Sequence, residues 1–174
     1  MEVEVALRRV QIGDHAEVLA VFAAAFPQSG VEELAITEAL WADSATVAAG
    51  CLVAMVEGAV VGAVIASTAA LHPGGGRAVG LGPVAVLPRL QGRGIGGALV
   101  RASLEALSGE GVVVVGLLGD PGFYGPQGFV AASDRGVKAP VETWGAHFMV
   151  NATAPHLEAT FVYHHAFGVD AEAT

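Results

Sequence analysis

LGPVAVLPRLQGRGIGG, residues 81–97, decides how the rest of the chain is read. Gly92, Gly94 and Gly97 spell G-x-G-x-x-G, the fingerprint of a dinucleotide-binding turn. That turn belongs directly after the first strand of its fold. Here LPRLQ stands between the strand and Gly92, Pro88 bars a simple continuation of the ladder, and several elements precede the motif. Lys-Ser and Lys-Thr after the glycines are absent, so a Walker loop is not supported. What survives is the physics shared by both motifs. A glycine loop opening a helix leaves backbone N–H groups unpaired and lets a ligand approach closely. With the helix dipole behind them, these groups form a site for a pyrophosphate. Arg89 and Arg93 flank it.

Working outward, residues 3–9 alternate Val3, Val5 and Leu7 against Glu4, Ala6 and Arg8, the pattern of a half-buried strand. Asp14 is placed to cap a helix reaching about Ala25, with Val18, Leu19, Val21 and Phe22 on its apolar face. Pro27 and Gly30 punctuate, and a second helix is expected over 31–42. CLVAMV, Glu57-Gly58 and VVGAVIAST read as a hairpin, HPGGG (72–76) as a loop, and 78–86 as a strand interrupted at Gly82-Pro83. A helix over 95–108 follows, striped by Leu99, Ser103, Leu104 and Leu107. VVVVGLL (112–118) has the unbroken apolar character of a strand buried on both faces. A short helix near 120–127 and strands near 129–133 and 145–151 come next, and 155–174 fits no single pattern.

Composition bounds the function. Among 174 residues, 17 acids face 8 bases for a net charge of −9, without a basic stripe, which argues against nucleic acid and anionic membranes as partners. No apolar run approaches the ~20 residues that span a bilayer, and MEVEVALRR lacks the pattern of a signal peptide. A cytoplasmic protein is expected. The sequon at 151–153 is then a chance match. The single cysteine, Cys51, reads as a small buried residue at a strand start. Without repeats or linkers, 1–174 is expected to be one domain, with a core over 3–150 and an extension over 151–174. An apolar content of 53% leaves room for a homodimer interface.

The stretch LGPVAVLPRLQGRGIGGALVRASLEAL, followed by VVVVGLLGDPGFYGPQGFV, resembles the core of the GNAT superfamily of N-acetyltransferases. Gln91, Gly94 and Gly96 meet its Q/R-x-x-G-x-G/A signature after a strand that ends V-x-P, and FYGPQGF meets its aromatic-Tyr signature. The closing HFMVNATAP…FVYHHAFG resembles a bacterial subgroup of undefined substrate. The resemblance implies an α/β (α+β) fold: a central mixed, mostly antiparallel sheet splayed between its fourth and fifth strands, with helices on both faces. It implies acetyl-CoA as cosubstrate. Gln91, Gly92, Arg93, Gly94, Ile95, Gly96 and Gly97 would hold the pyrophosphate, and Val84, Ala85 and Val86 would lend backbone groups to the pantetheine. Asp120 stands where relatives often carry an Asn that contacts the cosubstrate, and a carboxylate can only accept there.

The implied reaction is direct attack of a neutral primary amine, on a small molecule or peptide, on the thioester. The oxyanion needs a donor, for which the resemblance points to the Val86 N–H. The leaving thiolate needs a proton, and Tyr124, whose phenol has a reference pKa of ~10, matches the family's donor. Residues 78–88 hold no acid or histidine, so the general base is open among Glu33, Glu38, His72, His147 and water. His164 and His165, read as strand neighbours, would face opposite sides, and no metal is expected. The alternatives are a non-catalytic acyl-CoA-binding module on the same fold and, further off, an NAD-type enzyme.

Overall fold

The computed structural model describes residues 4–169. Strand β1 (Ala6–Arg9) leads into α1 (His15–Ala25) and α2 (Gly30–Ala42). Strands β2 (Leu52–Val56), β3 (Ala59–His72) and β4 (Arg77–Val86) follow as a meander, then α3 (Ile95–Ser108) and β5 (Val112–Leu118). After α4 (Pro121–Tyr124) come β6 (Val130–Ala131), β7 (Val137–Lys138), β8 (Phe148–Ala152) and β9 (Ala159–Tyr163). The sheet order is β1-β2-β3-β4-β5-β8-β6, with β9 on the far half of β3 and β7 beside it. Pairing is antiparallel except for β4–β5 and β7–β9. Helices cover both faces.

Local chemistry accounts for these elements. Glu57 and Gly58 both hold positive φ, 49° and 81°, as a two-residue hairpin turn between β2 and β3 requires. Val64 pairs with Val84 but Ala66 with Leu81, so Gly82 and Pro83 oppose one β3 residue as a bulge. Gly82 holds φ 143°, and Pro83 needs no ladder partner. Ser103 sits within the apolar stripe of α3 because its hydroxyl donates to the Gly50 carbonyl at 2.7 Å. Cys51 is buried, its thiol pushed up to about 11 by desolvation, which makes it a packing residue.

The β4–β5 ladder controls the architecture. Parallel pairing runs from Arg77–Val112 to Gly80–Gly116 and stops there. β4 continues to Val86 and β5 to Leu118, so the strands diverge as the arms of a V.

Several expectations need correction. Asp14 precedes α1 but does not cap it through its side chain. Its carboxylate takes both Arg8 guanidinium nitrogens, at 2.6 and 2.8 Å, and the Gln11 N–H at 2.7 Å. The first strand is observed over Ala6–Arg9, and Val3 lies outside the described residues. The strand expected near 129–133 is only Val130–Ala131 before the chain turns into a 3-10 helix, Ala132–Arg135. The strand expected from 145 starts at Phe148, because Glu142–His147 form 3-10 turns around Gly145 at φ 52°. The segment left open at 155–174 contains β9.

The Arg8 fork holds the Asp14 carboxyl down at about 2, with desolvation opposing. A depressed carboxylate adds stability above its unfolded value near 3.8, lost as pH falls through about 2. Arg8 is 35% exposed, which screens the pair and brings the full linkage down to about 1–2 kcal/mol. Asp14→Asn is therefore expected to lower Tm at pH 7 by roughly 3–6 °C. Thermal scans should show the gap between the two proteins closing between pH 4 and pH 2.

Candidate active site

The V opens into a cleft of about 470 Å³ bounded by β4, the glycine loop, the start of α3 and α4. That volume suits a small-molecule ligand. A larger hollow of about 710 Å³ lies over Ser133, Lys138 and Glu142. It touches neither the glycine loop nor the V, so the chemistry is sought in the smaller one.

Along β4 the backbone alternates between sheet and cleft. The Leu87 N–H donates to Val61 O at 2.8 Å, and Gly62 faces Val86 in the register. Antiparallel alternation then commits Ala85 to β3 and turns the polar groups of Val84 and Val86 away from it, into the V. The Val86 carbonyl accepts from Gln91 Nε2 at 3.0 Å. Gln91 thus ties the loop to the strand, and the Val86 N–H has no partner among the described residues.

At the loop, Gly92 and Gly94 hold φ of 73° and 81°, a region open to glycine. Gly94 is the N-cap of α3 without any side-chain cap, and the first helical bond is Ala98 N–H to Gly94 O at 3.0 Å. The N–H groups of Ile95, Gly96 and Gly97 therefore precede any intrahelical bond and point out of the helix end. A Cβ on Gly96 would press on Phe123 at 3.3 Å, which explains the third small residue.

Tyr124 closes the other arm. Its ring lies on the bare Cα of Gly119, where a Cβ would collide with it, and packs edge-on against Phe123 and Phe129 at 4.8 and 5.8 Å. Burial pushes its phenol up to about 12. Asp120 caps α4 by accepting the Gly122 N–H at 2.9 Å and is the only charged side chain of the lining.

The match to known families decides what such a cleft belongs to. Residues 6–132 match the family model described as an acetyltransferase (GNAT) domain. The chain belongs to the GNAT acetyltransferase family. This acetyltransferase is 34% identical to a GNAT protein from Brucella melitensis, solved in complex with acetyl-CoA, with a TM-score of 0.79 over 95% of this chain and 99% of that one. It is 25% identical to YhbS of Escherichia coli, solved in complex with CoA, with a TM-score of 0.89 over 97% and 94% of the two chains. Over 61 residues it is 43% identical to the uncharacterized N-acetyltransferase YjhQ of Escherichia coli K12, a match spanning 34% of each protein.

The acetyltransferase gathers Val84, Ala85, Val86, Gln91, Gly92, Gly94, Ile95, Gly96, Gly97, Asp120 and Tyr124 around one cleft. Arg93 is on the loop, but its exposed side chain is not among the lining groups, and Arg89 is likewise exposed. Phe26, at the end of α1, lines the cleft without having been singled out in sequence; an apolar residue beside the helix-ending Pro27 was its one signal.

None of the four base candidates lines the cleft. His72 ends β3 beside the start of β4, and strand geometry puts Arg77 roughly 30 Å from Val86. Glu38 is exposed on α2, and Glu33 accepts from Ser29 Oγ at 3.0 Å. His147 is closest by contact: its Nδ1 lies 3.2 Å from the Gly119 carbonyl, across the residue that carries the Tyr124 ring. A carbonyl only accepts, so Nδ1 is the donor in this contact, and in the neutral ring the lone pair is on Nε2.

His164 and His165 do not face opposite sides. They lie beyond β9, and both present Nε2 to Asp43 Oδ2, at 3.7 and 2.9 Å. His164 Nδ1 accepts the Ala166 N–H at 3.2 Å, which leaves its proton on Nε2, pointing at the carboxylate. The contacts bring Asp43, at the end of α2, against the C-terminal segment, and a proton on Nε2 opposes metal ligation through that atom of His164.

Proposed function

We propose that this acetyltransferase moves an acetyl group from acetyl-CoA to a primary amine of a small molecule or peptide, by direct attack in a ternary complex. The observation that carries the reading is one cleft combining three things: unpaired N–H groups at the start of α3, the unpaired polar edge of β4 at Val84 and Val86, and the Tyr124 hydroxyl. The first suits a pyrophosphate, the second an extended amide-bearing arm, the third a sulfur at the arm's end.

The residues then divide the work. The Val86 N–H donates to the oxygen of the attacked carbonyl as it takes up charge. Tyr124 donates to the sulfur as the carbon–sulfur bond breaks. A phenol at about 12 is a weak acid, but the burial that raises it also disfavours a free thiolate in the same cleft, so the proton passes as sulfur charge develops. The amine nitrogen loses its proton to water, since none of the four candidate bases lines the cleft; His147, in contact with the Gly119 carbonyl beside Tyr124, is the candidate that such a water would reach first. The products are an amide and a thiol, and Tyr124 regains its proton from solvent.

Thermal unfolding with added ligands tests the reading. Acetyl-CoA or CoA at ~100 times Kd should add about 2.7 kcal/mol and raise Tm by several degrees, and NAD should not. Thiol release across a panel of primary amines then separates an enzyme from a binding module. A Tm shift with NAD alone would overturn the proposal.

A further inference from the structure

Arg101 carries its charge to the first turn of α3. Arg8 and Arg77 are ion-paired, with Asp14 and Glu110. Among the described residues Arg101 has no carboxylate partner. Its Nη1 donates instead to the neutral amide oxygen of Gln127, and Gln127 Nε2 donates to the Phe123 carbonyl at 3.4 Å. The amide is thus oriented from both ends, and it fixes the guanidinium. A Cβ on Gly97 would lie 3.0 Å from Arg101 Nη1 and 3.1 Å from Gln127 Nε2, so the guanidinium rests over the bare Cα of that glycine. Gly97 and Arg101 are one turn apart on one face, and helical side chains lean toward the N-terminus, which brings the charge back to the helix start.

A cation there is opposed by the helix itself. The N-terminal end of the α3 dipole is positive, and the N–H groups of Ile95, Gly96 and Gly97 stand open on the same turn. A fixed guanidinium beside them adds charge of the same sign, and no described carboxylate neutralises it. An anion relieves both. Location says which anion. The open N–H groups point along the axis, out of the helix end. The guanidinium sits on the flank, roughly 5–6 Å from the axis, half the width of a helix with its side chains. Arg101 is also outside the lining of the cleft. A cleft of about 470 Å³ is sized for a drug-like ligand, and acetyl-CoA is larger, so the nucleotide end of that molecule lies beyond it.

We propose that Arg101, positioned by Gln127, binds the 3′-phosphate of acetyl-CoA. This rests on the acetyl-transfer reading above. A ribose separates that group from the pyrophosphate, and the flank of α3 stands about as far from the N–H groups at its end. The main chain of the glycine loop then holds two phosphates and a side chain holds the third. Nη1 is taken by Gln127, so Nε and Nη2 form the edge presented to the phosphate oxygens. The assignment gives the acetyltransferase a means to tell CoA from nucleotides that share the pyrophosphate and lack the 3′-phosphate.

Calorimetric titration of CoA and 3′-dephospho-CoA into wild type and Arg101→Met tests this. The two ligands differ by one phosphate, and the two proteins by one charge. Wild type is expected to bind CoA about tenfold more tightly than dephospho-CoA, the size of one charge-assisted hydrogen bond. In Arg101→Met that preference should fall to within about twofold, because a phosphate left in water contributes little, and the affinity for dephospho-CoA should stay unchanged. Arg101 is exposed, so its loss leaves the core intact. A variant that keeps the full preference overturns the inference and leaves acetyl transfer standing. A wild type without a preference does the same. So does a variant weakened equally for both ligands, since the residue then serves the pyrophosphate or the fold. If wild type binds neither ligand, the acetyl-CoA reading falls and this inference with it. Gln127→Ala frees the guanidinium without removing it and should give a preference between those of the other two proteins. A preference undiminished there overturns the positioning role of Gln127.

Discussion

Tyr124→Phe is expected to lower kcat for acetyl transfer by about 10²–10³-fold, within the range of a lost general acid, and to leave acetyl-CoA affinity within about twofold. The ring stays: it packs on Gly119, Phe123 and Phe129, and Phe makes the same contacts. Only the hydroxyl goes, and with it the donor to the departing sulfur. The pH profile adds an independent check. The form needed is the protonated phenol, and burial holds its pKa up at about 12. Protonation is then complete across the neutral and mildly alkaline range, so the wild-type rate should show no alkaline loss from this group below about pH 11. Steady-state thiol release with both proteins from pH 6 to pH 10 tests both points. A variant with unchanged kcat would remove Tyr124 from the chemistry.

The second large effect is on binding. Gly94→Val should weaken acetyl-CoA binding by at least about 100-fold, or roughly 2.7 kcal/mol. Two causes combine. Gly94 holds φ 81°, where a β-branched residue is strained, and a Cβ there meets no protein atom within 4 Å, so it projects into the space left for the ligand. Gly58 provides the control. It holds the same φ of 81° with the same empty surroundings, but in the β2–β3 turn away from the cleft. Gly58→Val should lower Tm about as much as Gly94→Val and leave affinity untouched. Calorimetric titration of both variants separates backbone strain from lost ligand contact. Equal affinities would show that the glycine loop does not hold the cosubstrate.

Much of the molecule was legible in sequence where local chemistry decides. Glu57-Gly58 announced the hairpin, VVVVGLL a strand buried on both faces, and Gly82-Pro83 the bulge; each needs only its own neighbours. The residues later found around the cleft were grouped by the resemblance to the GNAT superfamily, because β4 with its loop and α4 are separated along the chain by α3 and β5. Asp14 was misread because a capping carboxylate and an ion-paired one look alike until Arg8 is brought alongside by the fold. His147 was placed in a strand because Gly145, with its positive φ, gave no periodicity to read against. β9 escaped because its partner in β3 is remote in sequence, and with it went the rings of Phe161 and Tyr163, which rest on Gly116 and Gly80 of other strands.

The alternation along β4 has a consequence for how this protein can change over time. In the proposed binding mode, recognition through the Val84 and Val86 main chain is written in no side chain. Nineteen of the twenty amino acids carry the same N–H, and proline alone would erase it. The cleft can therefore exchange its side chains, and with them its choice of acceptor, while its grip on the shared cosubstrate passes unaltered from one descendant to the next.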